Sequence, residues 1–331
     1  MKAAVLGSGA WGTTLAIVLH KNGHQVTLWE YKTDYAKVLA ETRLNPDYLP
    51  GVPLPQEMII SNNLLEAVAG KDLIVLAVPS QFLRSVMIQI PYHLIKNTIL
   101  VSVAKGIENG TLMTMSQMLH DVYKDADCNC VGVLSGPSHA EEVSVDIPTT
   151  VVAASGDKET SRVIQSAFST SYFRVYNTTD IIGVELGGAF KNVIAIGAGI
   201  IDGLKFGDNT KAAIMTRGIA EISRLGIAMG SRPETFAGLS GIGDLIVTCM
   251  SRHSRNRYVG EKIGSGMKLS EVLAGMTAVA EGVQTSRSAR ALALKYNIVT
   301  PITNEVYNIL FEDKDPRKAT FDLMTRDKKE E

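Results

Sequence analysis

Three glycines near the start of the chain carry its strongest local signal, and an acid follows them. Gly7, Gly9 and Gly12 form G-x-G-x-x-G directly after the short aliphatic run Lys2–Leu6 and ahead of a helical stretch from Thr13 to His20. Strand, tight turn, then helix is the context in which this pattern holds a dinucleotide pyrophosphate. The first glycine permits the turn, the second lets backbone N–H groups approach the phosphates, and the third lets helix and strand pack closely. The helix N-terminus adds unpaired N–H donors and the positive end of its dipole. About 20 residues further on stands Glu30, at the end of a second strand, His24–Trp29. An acid there accepts a hydrogen bond from the 2′-hydroxyl of NAD. Tyr31 and Lys32 follow, and a cation there suits the 2′-phosphate of NADP instead. These residues leave both cofactors open.

Strands alternating with helices must position that loop. Leu73–Val78 is a continuous apolar run of the kind buried on both faces of a parallel sheet, and Ile99–Ala104, Val131–Leu134, Thr149–Ala154 and Phe173–Val175 are further strand candidates. Strands separated by helical stretches imply right-handed crossovers and a doubly wound α/β sheet. From about Thr179 the texture changes. Ile181–Ile201 reads as one long helix rich in Gly, Ala and Ile, and Thr210–Leu225, Gly260–Ile263, Leu269–Leu273, Thr285–Lys295 and Glu305–Leu310 read as further helices. The expected division is therefore residues 1–178, a dinucleotide-binding domain, and 179–331, a mostly helical substrate and catalytic domain. From Arg326 the tail is charged and expected to fray.

Composition narrows the function class. A chain of 331 residues suggests two domains and a core large enough to need no disulfide or metal staple. A net charge of −1 argues against a protein built to hold nucleic acid or an anionic membrane, leaving Arg252, His253, Arg255 and Arg257 as the local basic stretch. Cys128, Cys130 and Cys249 form no disulfide framework and lack a second pair at zinc spacing, so free thiols in a reducing cytosol, with no metal, are expected. The apolar run after Met1 ends at Gly7, too short for a signal peptide. Val193–Ile201 falls short of the ~20 residues that span a bilayer, so no membrane insertion is expected.

Four further segments stand in order behind the glycine loop: Val103-Ala104-Lys105-Gly106-Ile107-Glu108, Ser135-Gly136-Pro137-Ser138, Leu186-Gly187-Gly188-Ala189-Phe190-Lys191-Asn192, and Gly241-x-Gly243-Asp244-Leu245 with Ser254-Arg255-Asn256. Together they closely resemble the bacterial-type NAD(P)-dependent glycerol-3-phosphate dehydrogenases, from Val5 to about Phe311. The resemblance implies a Rossmann domain followed by a helical domain like that of 6-phosphogluconate dehydrogenase. It implies a cytoplasmic homodimer that takes a small phosphorylated substrate and NAD(P)H, and that supplies glycerol 3-phosphate for glycerophospholipid synthesis. Lys191 then corresponds to the family's proton acceptor, with Lys105 and Asp244 beside the reacting carbon. Gly136, Ser138, Thr248, Ser254, Arg255 and Asn256 join those three as substrate contacts. Ala10 and Trp11 in the glycine loop, with Tyr31, Lys105, Ala140, Arg255, Val279 and Glu281, are the cofactor contacts. Relatives often carry a neutral or basic residue where Glu30 stands, and Thr where Ser138 stands.

The same residue types make chemical sense on their own. A lysine in an apolar, glycine-rich helix is disfavoured in its charged form, so desolvation pushes its pKa down and makes it a usable base near neutral pH. Asp244 would hold Lys191 and tune its charge, and Lys105 would add positive charge near a developing oxyanion. Ser254-Arg255-Asn256 supplies a guanidinium fork and neutral donors suited to a phosphate dianion. A β-hydroxyacid or 6-phosphogluconate reductase would share the glycines and a lysine, but not the Gly-Asp-Leu and Ser-Arg-Asn combination. A nucleotide-sensing module would have no reason to carry Lys105, Lys191 and Asp244 together.

Overall fold

The computed structural model describes residues 1–124, 130–328 and 330. Cys128, and Lys329 and Glu331 of the charged tail, lie outside the described residues. The chain divides into two compact units, one of Met1–Glu108 with Met113–Glu185 and the other of Asn109–Leu112 with Leu186–Glu331.

The strands of the first unit are β1 (Lys2–Leu6), β2 (Gln25–Trp29), β3 (Leu44–Asn45), β4 (Leu49–Pro53), β5 (Ile59–Ser61), β6 (Leu73–Leu76), β7 (Ile99–Ser102), β8 (Val131–Ser135), β9 (Thr149–Ser155) and β10 (Phe173–Thr178). Eight of them form one sheet in the order β10-β9-β8-β7-β6-β1-β2-β5, while β3 and β4 make a separate hairpin. The aliphatic strand runs are buried on both faces, as parallel sheets demand. Ala3 and Val5 project into one apolar cluster with Leu15, Leu28 and Phe168. Their neighbours Ala4 and Leu6 project into the opposite cluster with Ile74, Leu83 and Leu119. The strand order reverses between β1 and β6, and the crevice beyond their carboxyl ends is where such sheets bind ligands. The glycine loop leaves β1 at that point.

One pairing departs from the all-parallel expectation. β8 and β9 are antiparallel, because the connection between them contains only the one-turn helix Ala140–Val143. A parallel return needs a longer crossover packed along the sheet. The β3–β4 hairpin and the short strand β5 were also invisible in the sequence: β3 and β5 are too short for a readable period, and the five residues of β4 (LPGVP) carry two prolines and a glycine that read as a turn.

The second unit is helical. Ile181–Leu204 is long and apolar enough to span a membrane, but 89% of its most apolar window is buried inside the protein. It is a core helix. Its close partner is the helix Arg255–Gly264, and glycines on both let the backbones touch. A Cβ on Gly260 would lie 1.9 Å from the Ile196 carbonyl oxygen, and one on Gly199 2.0 Å from that of Arg257. Asp202 ties the crossing, accepting from Arg257 Nε at 2.7 Å and Lys211 Nζ at 2.8 Å. Arg257 therefore leaves the basic stretch expected around Arg255 and serves packing. Glu221, buried, accepts from the backbone N–H of Ile302 at 2.7 Å and of Thr303 at 3.1 Å, capping the helix Pro301–Phe311. A final helix, Pro316–Met324, starts at an Asp315 cap that accepts from Lys318 N at 2.8 Å.

Because the crossing has no room for a methyl group, Gly260→Ala should destabilise the fold by about 1–3 kcal/mol or more, the range for overpacked cores. Denaturant melts of the two proteins measure it. An unchanged midpoint would show that the helices separate without penalty.

Candidate active site

In the first unit the three glycines meet three different demands. Gly7 sits at φ +109°, and a Cβ there would approach the Ala77 carbonyl oxygen to 2.9 Å, just beyond β6. A Cβ on Gly12 would fall 2.0 Å from the Gly7 carbonyl oxygen, so any side chain would drive helix and strand apart. A Cβ on Gly9 would meet no protein atom within 4 Å. The bare position there serves something other than internal packing, as an approach route for phosphate requires. The helix that follows, Ala10–Lys21, has no side-chain cap on its first N–H groups. These features fit a dinucleotide pyrophosphate.

The loop is held from below. Buried Asn45 donates to the Ser8 carbonyl oxygen at 2.7 Å and to Thr13 Oγ1 at 2.8 Å, and accepts from Tyr35 at 2.6 Å. Ser8 Oγ donates to Glu30, and the Lys32 backbone N–H donates to the other carboxylate oxygen at 2.8 Å. Glu30 is only 4% exposed, so the acid at the end of β2 is a fixed, inward group. Tyr31 beside it is exposed, with the Lys32 ammonium 5.5 Å from its ring centroid. Trp11 packs its ring against Phe173, with centroids 6.3 Å apart.

A second group of expected residues lies in the same unit. Lys105 Nζ and Ser138 Oγ both donate to the Gly136 carbonyl oxygen, each at 3.0 Å. Gly136 itself is at φ +147° with its Cβ position 2.9 Å from Val151 Cα, so only glycine serves there. Thr14 Oγ1 links the nucleotide-loop helix to this segment, donating to Ala10 O at 2.9 Å with Ala140 O 3.4 Å away.

In the second unit Lys191 is 5% exposed, Asp244 1% and Thr248 4%. The Lys191 ammonium is hydrogen-bonded to Asp244 Oδ1 and to Thr248 Oγ1, the latter at 2.7 Å. Thr248 Oγ1 in turn donates to the Asp244 backbone oxygen at 2.6 Å. Glycine again makes the arrangement possible: a Cβ on Gly187 would sit 2.4 Å from the Ser240 carbonyl oxygen, and one on Gly241 2.1 Å from that of Phe236. The lysine helix thus comes down directly onto the turn Leu239–Gly243 that precedes Asp244. The Asp244 carboxylate opposes the desolvation expected from the lysine's apolar helix, since a nearby anion favours the charged form.

Asn192, quoted in the sequence motif but given no role there, joins this cluster. It accepts from Asn256 Nδ2 at 2.9 Å, while Asn256 Oδ1 accepts from the Gly282 N–H at 2.9 Å. The signal that reveals it is position: it follows Lys191 and is itself buried. Ser254 caps the helix that Arg255 opens, accepting from Arg257 N at 3.2 Å. Arg255 and Val279 are exposed, and Glu281 is half-buried. The structure therefore brings Lys191, Asp244 and Thr248 into direct contact, and joins Asn256 to the residue after Lys191. Among the described residues, no three His, Cys, Asp or Glu gather as a metal-ion site.

Comparison with known proteins follows the same division. Residues 2–161 match the N-terminus of NAD-dependent glycerol-3-phosphate dehydrogenase, and residues 180–321 match the C-terminus of the same family. The chain belongs to this family. It is 52% identical over 331 residues to the glycerol-3-phosphate dehydrogenase (NAD(P)+) of Syntrophotalea carbinolica, covering 100% of this chain and 99% of that one. The protein of that name from Geobacter sulfurreducens is 51% identical over 330 residues, covering 100% and 98%. The crystal structure of glycerol-3-phosphate dehydrogenase from Coxiella burnetii superposes with a TM-score of 0.91 at 36% identity, covering 98% of this chain and 99% of that one. The Rossmann-like unit and the helical unit are those of the family.

Cys249 follows Thr248 but is no part of this chemistry. Burial pushes its thiol up to about 12, against the opposing pull of the Lys191 charge. A raised pKa leaves the thiol protonated throughout the neutral range, and the thiolate is the reactive form. Iodoacetamide at pH 8 should leave Cys249 unmodified in the folded protein and label it after denaturation, as read by peptide mass mapping. Rapid labelling of the folded protein would contradict this burial.

Proposed function

We propose that this chain interconverts sn-glycerol 3-phosphate and dihydroxyacetone phosphate with NAD(P), Lys191 serving as its acid–base group. The observation that carries the reading is the buried ammonium of Lys191, held by Asp244 and Thr248, in a chain whose other unit bears the nucleotide loop. The first compact unit, which holds most of residues 1–178, serves as the cofactor domain, and the second, which holds most of 179–331, as the substrate and catalytic domain.

When bound, the nicotinamide supplies or accepts hydride at C2 of the substrate. As the neutral amine, Lys191 Nζ takes the C2 hydroxyl proton during oxidation; as the ammonium, it returns that proton to the forming alkoxide during reduction. Asp244 keeps the lysine oriented between turnovers, and Thr248 fixes the side-chain rotamer. Lys105 adds positive charge that favours the oxyanion more in the transition state than in the ground state. Gly136 and Ser138 shape the substrate loop, and Ser254, Arg255 and Asn256 take the phosphate, where a guanidinium fork matches a dianion. Gly7, Gly9, Ala10, Trp11 and Gly12 hold the pyrophosphate. Tyr31, Ala140, Val279, Glu281, Lys105 and Arg255 complete the cofactor contacts. Both NADH and NADPH are accepted, with the fixed Glu30 weighing toward NADH because its charge repels a 2′-phosphate.

The product, glycerol 3-phosphate, feeds glycerophospholipid synthesis. The enzyme acts in the cytoplasm as a homodimer.

The test is steady-state oxidation of NADH and NADPH by the purified chain. Oxidation should depend on dihydroxyacetone phosphate and yield glycerol 3-phosphate, while unphosphorylated dihydroxyacetone should be a poor substrate. Arg255→Ala should lower kcat/KM for the phosphorylated substrate roughly 30-fold, or about 2 kcal/mol, the low end for a charge pair desolvated on binding. It should bring no gain with dihydroxyacetone. Folded protein without turnover would overturn the assignment, and unchanged selectivity in the variant would move the phosphate site elsewhere.

A further inference from the structure

Lys105 lies in a stretch that has little regular structure yet is not a surface loop. Residues 104–113 follow β7 without helix or strand, but Gly106, Ile107 and Glu108 are buried. Buried irregular backbone must find hydrogen-bond partners, and its shape depends on which groups supply them. One short helix, Ser80–Met87, which follows β6, supplies several of them. Gln81 Nε2 donates to the Ile107 carbonyl oxygen at 2.7 Å. Three residues on, Arg84 forks onto Glu108, with Nε to Oε1 at 2.8 Å and Nη2 to Oε2 at 2.9 Å. Its remaining terminal nitrogen, Nη1, reaches Asp121 at 2.6 Å. The Glu108 N–H donates to the Met113 carbonyl oxygen at 3.0 Å, closing the base of the loop.

We propose that Arg84 is a positioning residue for Lys105, fixing through Glu108 the loop that aims the Lys105 ammonium. This rests on the reading of Lys105 as a reaction residue and extends it to a residue outside every motif. A two-pronged guanidinium–carboxylate contact fixes angle as well as distance, which a single ammonium cannot do. The hydrogen bonds to Glu108 hold the Arg84 guanidinium above its ordinary pKa, and Arg84 holds the Asp121 carboxyl below its own. Arg84 and Asp121 therefore both stay charged through the neutral range. Together with Gln81, the clamp of Arg84 on Glu108 sets the loop three residues beyond Lys105, whose Nζ is anchored at its far end to Gly136 O, 3.0 Å away. Loosening the clamp leaves the lysine present but misaimed, and small misplacements of a reacting group carry large rate penalties.

The experiment is a double-substitution cycle on kcat/KM for dihydroxyacetone phosphate, with Arg84→Met, Lys105→Met and the pair, each normalised to folded protein. Arg84→Met alone should lower kcat/KM about tenfold to a hundredfold. In the Lys105→Met background the same change should cost less than about twofold, because its target is gone. Arg84→Lys, which keeps charge and bulk but loses the fork, should lower the rate by an intermediate factor with the same non-additivity. It also serves in place of Arg84→Met if that variant does not fold. Equal losses in both backgrounds would overturn the proposal while leaving Lys105 a reaction residue. Normal turnover in Lys105→Met would overturn the reading of Lys105 itself, and the proposal with it.

Discussion

The second unit is organised around a charged nitrogen placed where water does not reach. An ammonium as buried as that of Lys191 is severely destabilised unless a counter-charge and hydrogen bonds replace its hydration. Asp244 supplies the charge, and Thr248 supplies an acceptor that is itself satisfied by donating to the Asp244 backbone. Removing one partner of such a pair leaves the other stranded, typically by about 3–5 kcal/mol. The local fold must therefore present all three side chains at once, and the density of glycine in this unit follows from that demand. Gly187 lets the lysine helix settle onto the turn before Asp244, and Gly241 lets that turn fold back against Phe236. The glycine-lined crossing of Ile181–Leu204 with Arg255–Gly264 then sets Asn256 beside Asn192.

The first unit answers a different demand, an anionic ligand held by backbone rather than by charged side chains. Gly7 and Gly12 are fixed by steric limits inside the protein, and Gly9 by the need to leave space. Around them a buried polar network of Ser8, Thr13, Tyr35, Asn45 and Glu30 keeps the loop from relaxing. Rigid loops of this kind lower the ordering penalty of binding. The helix Ser80–Met87 does the same for the Lys105 segment.

Much of this was legible in the sequence, and what was not has identifiable reasons. The glycine fingerprint is readable because each position answers a local steric rule. The switch to helices near Thr179 is readable because strand-like runs stop there. The pairing of Lys191 with Asp244 came from the family resemblance, since no local pattern singles out Asp244, 53 residues further on, as the lysine's counter-charge. The antiparallel β9 was not foreseen, since it depends on a connection too short to cross back. Asn45 and Arg84 gave no sign, because an isolated polar residue acquires meaning only through partners distant in the chain. The helix boundaries drifted too: Glu281–Lys295 begins ahead of the expected Thr285, where Gly282 blurs the periodic signal. Arg257 belongs to the local basic stretch in the sequence, and its pairing with Asp202 is a tertiary fact that no local pattern records.

In the proposed reaction Asp244 sustains Lys191 as the proton donor and acceptor. The most direct test is the pH dependence of kcat for dihydroxyacetone phosphate reduction, in the wild type and in Asp244→Asn. Reduction needs the ammonium, so the rate falls on the alkaline side as Lys191 loses its proton. Removing the adjacent negative charge disfavours the ammonium, so the alkaline limb should move to lower pH. An alkaline limb that stays in place in a folded, cofactor-binding Asp244→Asn protein would contradict the account.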